Sequence, residues 1–215
     1  NWMYAAESVL DVYLGEAPEK FTYEGQVMTP KTFKDKLPIN PQDYINITSF
    51  THHPFYDDFI LEIPDNYSNG QFYNVPLIEL MQVVDHALSN GYTVAWDGDV
   101  SEESFSGRKG IAVIPADEDA ENVFSGPVKE VRPTQEARQQ GFESFATTDD
   151  HLMHFVGTAV DQNGSPYYIV KNSWGEISPY KGFLYMSRPY AAMKTISIMV
   201  HKDAIPDSIM DKLPL

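Results

Sequence analysis

Tyr167-Tyr168-Ile169-Val170-Lys171-Asn172-Ser173-Trp174-Gly175, with Asp150-His151-Leu152-Met153 ahead of it, is the stretch on which the fold turns. Its apolar run is β-prone, and Asn163-Gly164 between the two segments is a strong hairpin signal. His151 and Asn172 are 21 residues apart, so a hairpin closed at Asn163-Gly164 lays them on neighbouring antiparallel strands. The Asn172 side-chain carbonyl can then accept from one imidazole nitrogen, orienting the ring and leaving the other nitrogen facing a nucleophile. The indole of Trp174 is placed to cover that hydrogen bond and keep water from it.

Outward from this core the final third reads as β-rich, with strands expected over 151–160, 167–172, 182–187 and 196–201. Upstream, Leu77, Leu80, Met81, Val84, Ala87 and Leu88 form one stripe of a helix that Asn90-Gly91 ends. A compact strand follows over 92–96, another is expected over 111–114, and a short helix over 134–142. At the other end, residues 2–13 have helical spacing with Gly15 as the stop, and Thr29-Pro30 opens a short helix. Residues 38–76, rich in Pro, Asn and Asp, read as loops with a few strands. The expected organisation is a helix- and loop-rich segment, 1–76, followed by a barrel-like α+β domain, 77–215.

The chain has 215 residues with 42% apolar and 13% aromatic residues, the composition of a folded domain. A formal net charge of −16 without a basic cluster argues against nucleic acid and anionic membranes as partners. Its apolar runs are too short for a spanning helix. The first residues, Asn1 to Glu7, have neither the basic nor the apolar region of a signal peptide and no initiator Met, so the chain reads as the interior of a longer protein. There is no cysteine, which removes disulfides and thiolate metal sites. Three sequons, at Asn46, Asn66 and Asn163, are close to what chance supplies.

The His151 segment, the unbroken Ile169-Val170-Lys171-Asn172-Ser173-Trp174-Gly175 run and the closing Gly182-Phe183 resemble the later catalytic motifs of the papain superfamily of cysteine peptidases. A finer resemblance is to its bleomycin hydrolase and aminopeptidase C branch. That rests on Tyr13-Leu14-Gly15-Glu16-Ala17-Pro18, on Gly98-Asp99-Val100 with Gly107-Arg108-Lys109-Gly110-Ile111, and on 135–148 running into the histidine. The resemblance implies a papain-like α+β fold whose antiparallel β-barrel-type half, with flanking helices, is the part present here. The upstream helical half, with its nucleophilic Cys and oxyanion-hole Gln, would be a separate segment or chain and the main partner. It makes His151 the general base and acid, Asn172 its orienting partner and Trp174 the shield; Asp150, with Asp149 just before the histidine, is read from its charge as a support for it, or else as part of an ordinary polar loop. The activity implied for the full-length protein is aminopeptidase-like hydrolysis of peptide substrates through a thioester, with no cofactor and no metal. The branch forms homo-oligomers and is usually cytoplasmic, while export stays open. Its C-terminal arm is longer than the end seen at Met210 to Leu215, which puts exopeptidase selectivity in question. Because the chain has no nucleophile, the alternative is a catalytically inactive papain-like pseudopeptidase that binds or regulates.

Other polar groups have plainer readings. His154, three residues after His151, faces away from it in a strand. His52-His53 would point to opposite faces and have no carboxylate at ligand spacing, so a zinc site is not expected. Asp97 and Asp99 are read as a strand end in a turn rather than as paired carboxylates, and 117–121 as a solvated acidic loop. Gly107 and Gly110 lack the strand-turn-helix context of a phosphate loop.

Overall fold

The computed structural model describes residues 2–116 and 123–215, so the acidic run 117–121 lies outside the described residues. By contact the chain divides into residues 1–41 and 42–215. In the first unit, α1 (Trp2–Leu14) forms at the predicted place and ends at Gly15, which is left-handed with φ +84° and donates its N–H to Asp11 O at 2.9 Å. No residue of α1 is buried. Strands β1 (Phe21–Tyr23) and β2 (Gln26–Met28) form a hairpin whose turn residues, Glu24 and Gly25, both have positive φ. Thr29 then caps α2 (Pro30–Lys34): the Thr32 N–H donates to Thr29 Oγ1 and the Thr29 N–H to Thr32 Oγ1, with Pro30 at the first position.

In the second unit the strands are β3 (Tyr44–Thr48), β4 (Asp58–Ile60), β5 (Gln71–Asn74), β6 (Val94–Gly98), β7 (Phe105–Ser106), β8 (Ile111–Ala112), β9 (His151–Val160), β10 (Pro166–Lys171), β11 (Phe183–Ser187) and β12 (Thr195–His201). They make one sheet in the order β4-β5-β3-β12-β6-β9-β10-β11-β8-β7. All pairings are antiparallel except β3 with β5 and β8 with β11. The fold is α+β as expected, but the barrel-type closure is corrected: among the described residues β4 and β7 end the sheet and do not pair with each other. Strands β3, β4 and β5 fall within 1–76 yet hydrogen-bond into this sheet, β3 through Ile45↔Val200 and Ile47↔Ile198. Those partners are about 150 residues away in sequence, beyond the reach of local composition.

Helix α3 (Leu77–Ser89) buries Leu77, Leu80, Val83, Val84 and Ala87, so its inward face is centred slightly off the predicted stripe. The core joins that face to Val94 and Trp96 of β6, Phe155 of β9, Tyr168 and Val170 of β10, and Ile198 and Val200 of β12. Each such fully buried side chain contributes about 1.5–3 kcal/mol. The α3 N-terminus has no side-chain cap of its own; the Leu77 N–H donates instead to Gln135 Oε1 at 2.7 Å. Gln135 opens α4 (Gln135–Glu143), capped by Thr134. Helix α5 (Arg188–Lys194), capped by Ser187, was not anticipated, although Ser-x-Pro is a start signal. The last helix is α6 (Asp207–Met210).

Candidate active site

The hairpin of β9 and β10 forms as the sequence predicts. Its tip has Gly164 at φ +83°, and Asp161 Oδ1 accepts from the Asn163 and Ser165 N–H groups, each at 2.8 Å. Near the tip the register runs Pro166↔Val160 to Ile169↔Gly157. Continued unchanged, it would set Asn172 opposite His154. Residues directly opposite share a face, so Asn172 would point away from His151. A bulge prevents this: the next pairs are Val170↔Phe155 and Lys171↔His154, leaving Val156 unmatched. The following position, Asn172, then lies opposite Met153 and on the face of His151. The histidine opens β9, paired in register with Gly98 at the end of β6.

The side chains meet. His151 Nε2 lies 2.9 Å from Asn172 Oδ1. The same oxygen accepts the Ser173 N–H at 2.7 Å, which fixes the amide orientation, and so Nε2 is the nitrogen that carries the hydrogen. The Asn172 N–H donates to Gly182 O at 3.0 Å, and the residue is 8% exposed. A buried, twice-anchored acceptor holds the ring with little freedom. His151 Nδ1 makes no hydrogen bond among the described residues and is the nitrogen left for chemistry.

Trp174 stacks on the imidazole with ring centroids 4.6 Å apart and planes 28° from parallel. At 45% exposure it shields one face of the ring. Gly107 lies beneath the indole, where a Cβ would come within 2.9 Å of it. Asp150 makes no hydrogen bond to the ring: its carboxylate accepts from Thr148 Oγ1 at 2.7 Å and more weakly from the Val100 N–H at 3.4 Å, supporting the turn into β9. The dyad can accept and return a proton at Nδ1, and no cysteine occurs among the 215 residues to serve as nucleophile.

Asp97 in β6 and Asp99 just beyond its end have separate surroundings. Burial by itself raises Asp99, but Ser101, Lys194 and the Thr148 N–H together hold it below the usual carboxylate range. Asp97 faces Asp149 instead, a pairing that sequence reasoning missed because β6 and the turn before β9 meet only in the folded sheet. His154 faces Thr93 across the other side of the sheet, with Nε2 2.8 Å from its Oγ1, as its spacing from His151 implies. Burial, then Lys171, lowers its pKa.

His52 and His53 do not diverge, because they lie in a turn and not a strand. Their Nε2 atoms converge on Glu62, at 3.1 and 2.8 Å, so the fold supplies the carboxylate that local spacing lacks. Gln139 decides what this cluster is. Its Oε1 accepts the Thr51 N–H at 2.6 Å, so its Nε2 donates to His52 Nδ1 at 3.0 Å. His52 Nε2 therefore carries its hydrogen and donates to Glu62. The cluster is a hydrogen-bonded clasp; a metal on His52 Nε2 would have to displace that hydrogen while Nδ1 is held as an acceptor.

A family model described as the Peptidase C1-like family matches residues 7–214. Among curated proteins, the chain is 26% identical over 205 residues to aminopeptidase G of Lactobacillus delbrueckii subsp. lactis, covering 89% of this chain and 45% of that protein. It is 24% identical over 223 residues to bleomycin hydrolase of Mus musculus, covering 94% and 48%. The chain thus spans less than half the length of these relatives. Among solved structures, pepw from Lactobacillus rhamnosis hn001 superimposes with a TM-score of 0.73 at 20% identity, over 98% of this chain and 49% of that one.

Proposed function

Because this chain belongs to the Peptidase C1-like family, we propose that the protein carrying it hydrolyses peptide bonds through a cysteine thiolate supplied from outside these 215 residues. The observation that carries this is the hydrogen bond from His151 to a buried, backbone-anchored Asn172, with Nδ1 left unpartnered. In this reading the cysteine gives its proton to Nδ1 and is held as a thiolate beside the imidazolium. The thiolate attacks the peptide carbonyl. As the C–N bond breaks, Nδ1 returns the proton to the leaving amine, and a thioester remains. Nδ1 then takes a proton from water, whose hydroxide releases the acid and restores the thiol. Through both steps Nε2–H stays on Asn172, so the ring turns little. That relatives are named as aminopeptidases supports N-terminal residues of peptides as the substrate in this reading. The exposed apolar residues of α1, among them Trp2, Val12, Tyr13 and Leu14, are in keeping with a further segment or chain that covers them.

The test is to label the thiols of the purified protein with an epoxide or iodoacetamide and to assay aminoacyl and peptidyl substrates. One labelled cysteine, with hydrolysis abolished by the label and by His151→Ala, is the expected result. A full-length product with no reactive thiol and no hydrolysis overturns it. The absence of cysteine here favours, in that event, the second reading of an inactive pseudopeptidase that binds or regulates.

A further inference from the structure

The sheet face that carries Asp97 points away from the core. There Asp97 pairs with Leu152 and Ser197, and Ala95 with Met199. Together with Ile63 and Phe72 they border a cavity of about 330 Å³. Its walls are mainly apolar, but among the described residues three carboxylates line it, Asp65, Asp97 and Asp149, and no Lys or Arg does. It also lies against the proposed catalytic histidine in the chain, since Asp149 precedes His151 by two residues and Leu152 follows it.

Two of those carboxylates are short of partners. Asp97 Oδ1 and Asp149 Oδ2 are buried and accept no hydrogen bond from any described donor. The other oxygen of Asp97 has only the Ser197 hydroxyl, at 3.3 Å. Burial first, then the hydrogen bond and charge of Asp149, push Asp97 up to about 8. Facing acids inside an apolar sleeve destabilise the empty site, and an organic cation satisfies both while its aliphatic stem lies along Phe72, Leu152 and Met199.

We propose that this cavity receives a cationic group of the peptide substrate, an alkylammonium or guanidinium, with Asp97 and Asp149 as its counter-charges. The assignment of that cation to a substrate rests on the peptidase reading above. Two sources share the chemistry: a basic side chain or a free α-ammonium.

Calorimetric binding to the protein as it exists tests this without turnover. The probes are Nα-acetyl-lysine methylamide, Nα-acetyl-norleucine methylamide, which keeps the stem without the charge, and norleucine methylamide, whose α-amine is free. At least one cationic probe is expected to bind about tenfold or more tightly than the neutral one, and whichever does names the source. Asp97→Asn and Asp149→Asn should each remove most of that advantage while leaving the neutral probe unchanged. No advantage for either cation on the wild-type protein, a comparison that needs no variant, overturns the proposal. So does an advantage that survives both substitutions. Selective binding without hydrolysis would sink the peptidase reading alone; hydrolysis with unselective binding would sink this proposal alone.

Discussion

Replacing Asp97 by Asn should make the protein more stable, and increasingly so as pH rises. Asp97 ionises near 3.8 when unfolded but is pushed up to about 8 in the fold by burial and by Asp149. Between those values the native state binds a proton that the unfolded chain has lost, so native stability falls as pH increases, by about 1.4 kcal/mol per unit at most. The shift sets a ceiling of roughly 5–6 kcal/mol, and access of water to the cavity reduces the realised amount to about 2–3 kcal/mol. The Asn amide can donate to Asp149 without titrating, and so it removes this dependence. Urea unfolding of both proteins between about pH 4 and pH 9 measures the difference, with unchanged m-values as the control. The two should be nearly equal at the acid end, the variant should gain steadily up to about pH 8, and the gap should then level off. A gap that does not change with pH, or a variant that is less stable at pH 8, would refute this account of Asp97.

Asn172→Ala frees the imidazole, and in the protein with its nucleophile it should lower kcat by about a hundredfold with a small change in KM. Gly98→Ala should destabilise by about 3 kcal/mol or leave no folded protein, because the new Cβ would lie 2.3 Å from the Trp96 ring and 2.4 Å from Lys194 O, a backbone atom that cannot swing aside. Leu80→Ala, at a fully buried α3 position, should cost about 2–5 kcal/mol in a chemical melt without changing the affinity of the dyad for ligands.

Much of this architecture was legible locally. The α3 stripe, the Thr29 cap and the Asn163-Gly164 tip each follow from neighbours within a turn, and the structure has all three. The His151–Asn172 pair was legible as well, because both residues flank one hairpin. What escaped was long-range. Strands β3 and β5 join β12 only in the sheet, and no local alternation advertises that pairing. Glu62 reaches His52 and His53 through a turn, and Asp149 reaches Asp97 across β6 and β9. The closure expected of the sheet failed for the same reason: strand periodicity says which residues share a face, not whether the first and last strands meet.

The unmatched Val156 sets a rule of inheritance for this hairpin. Between His151 and the tip, or between the tip and Asn172, losing or gaining one paired residue would exchange inward and outward faces and part the dyad, while the sheet and its core could survive. Steps of two preserve the arrangement, and the tip itself can vary in length freely. Relatives that still work should therefore differ among the paired residues of these strands by even counts, whereas a chain with Val156 deleted would lose only the bulge, keep Asn172 opposite Met153 and retain the dyad.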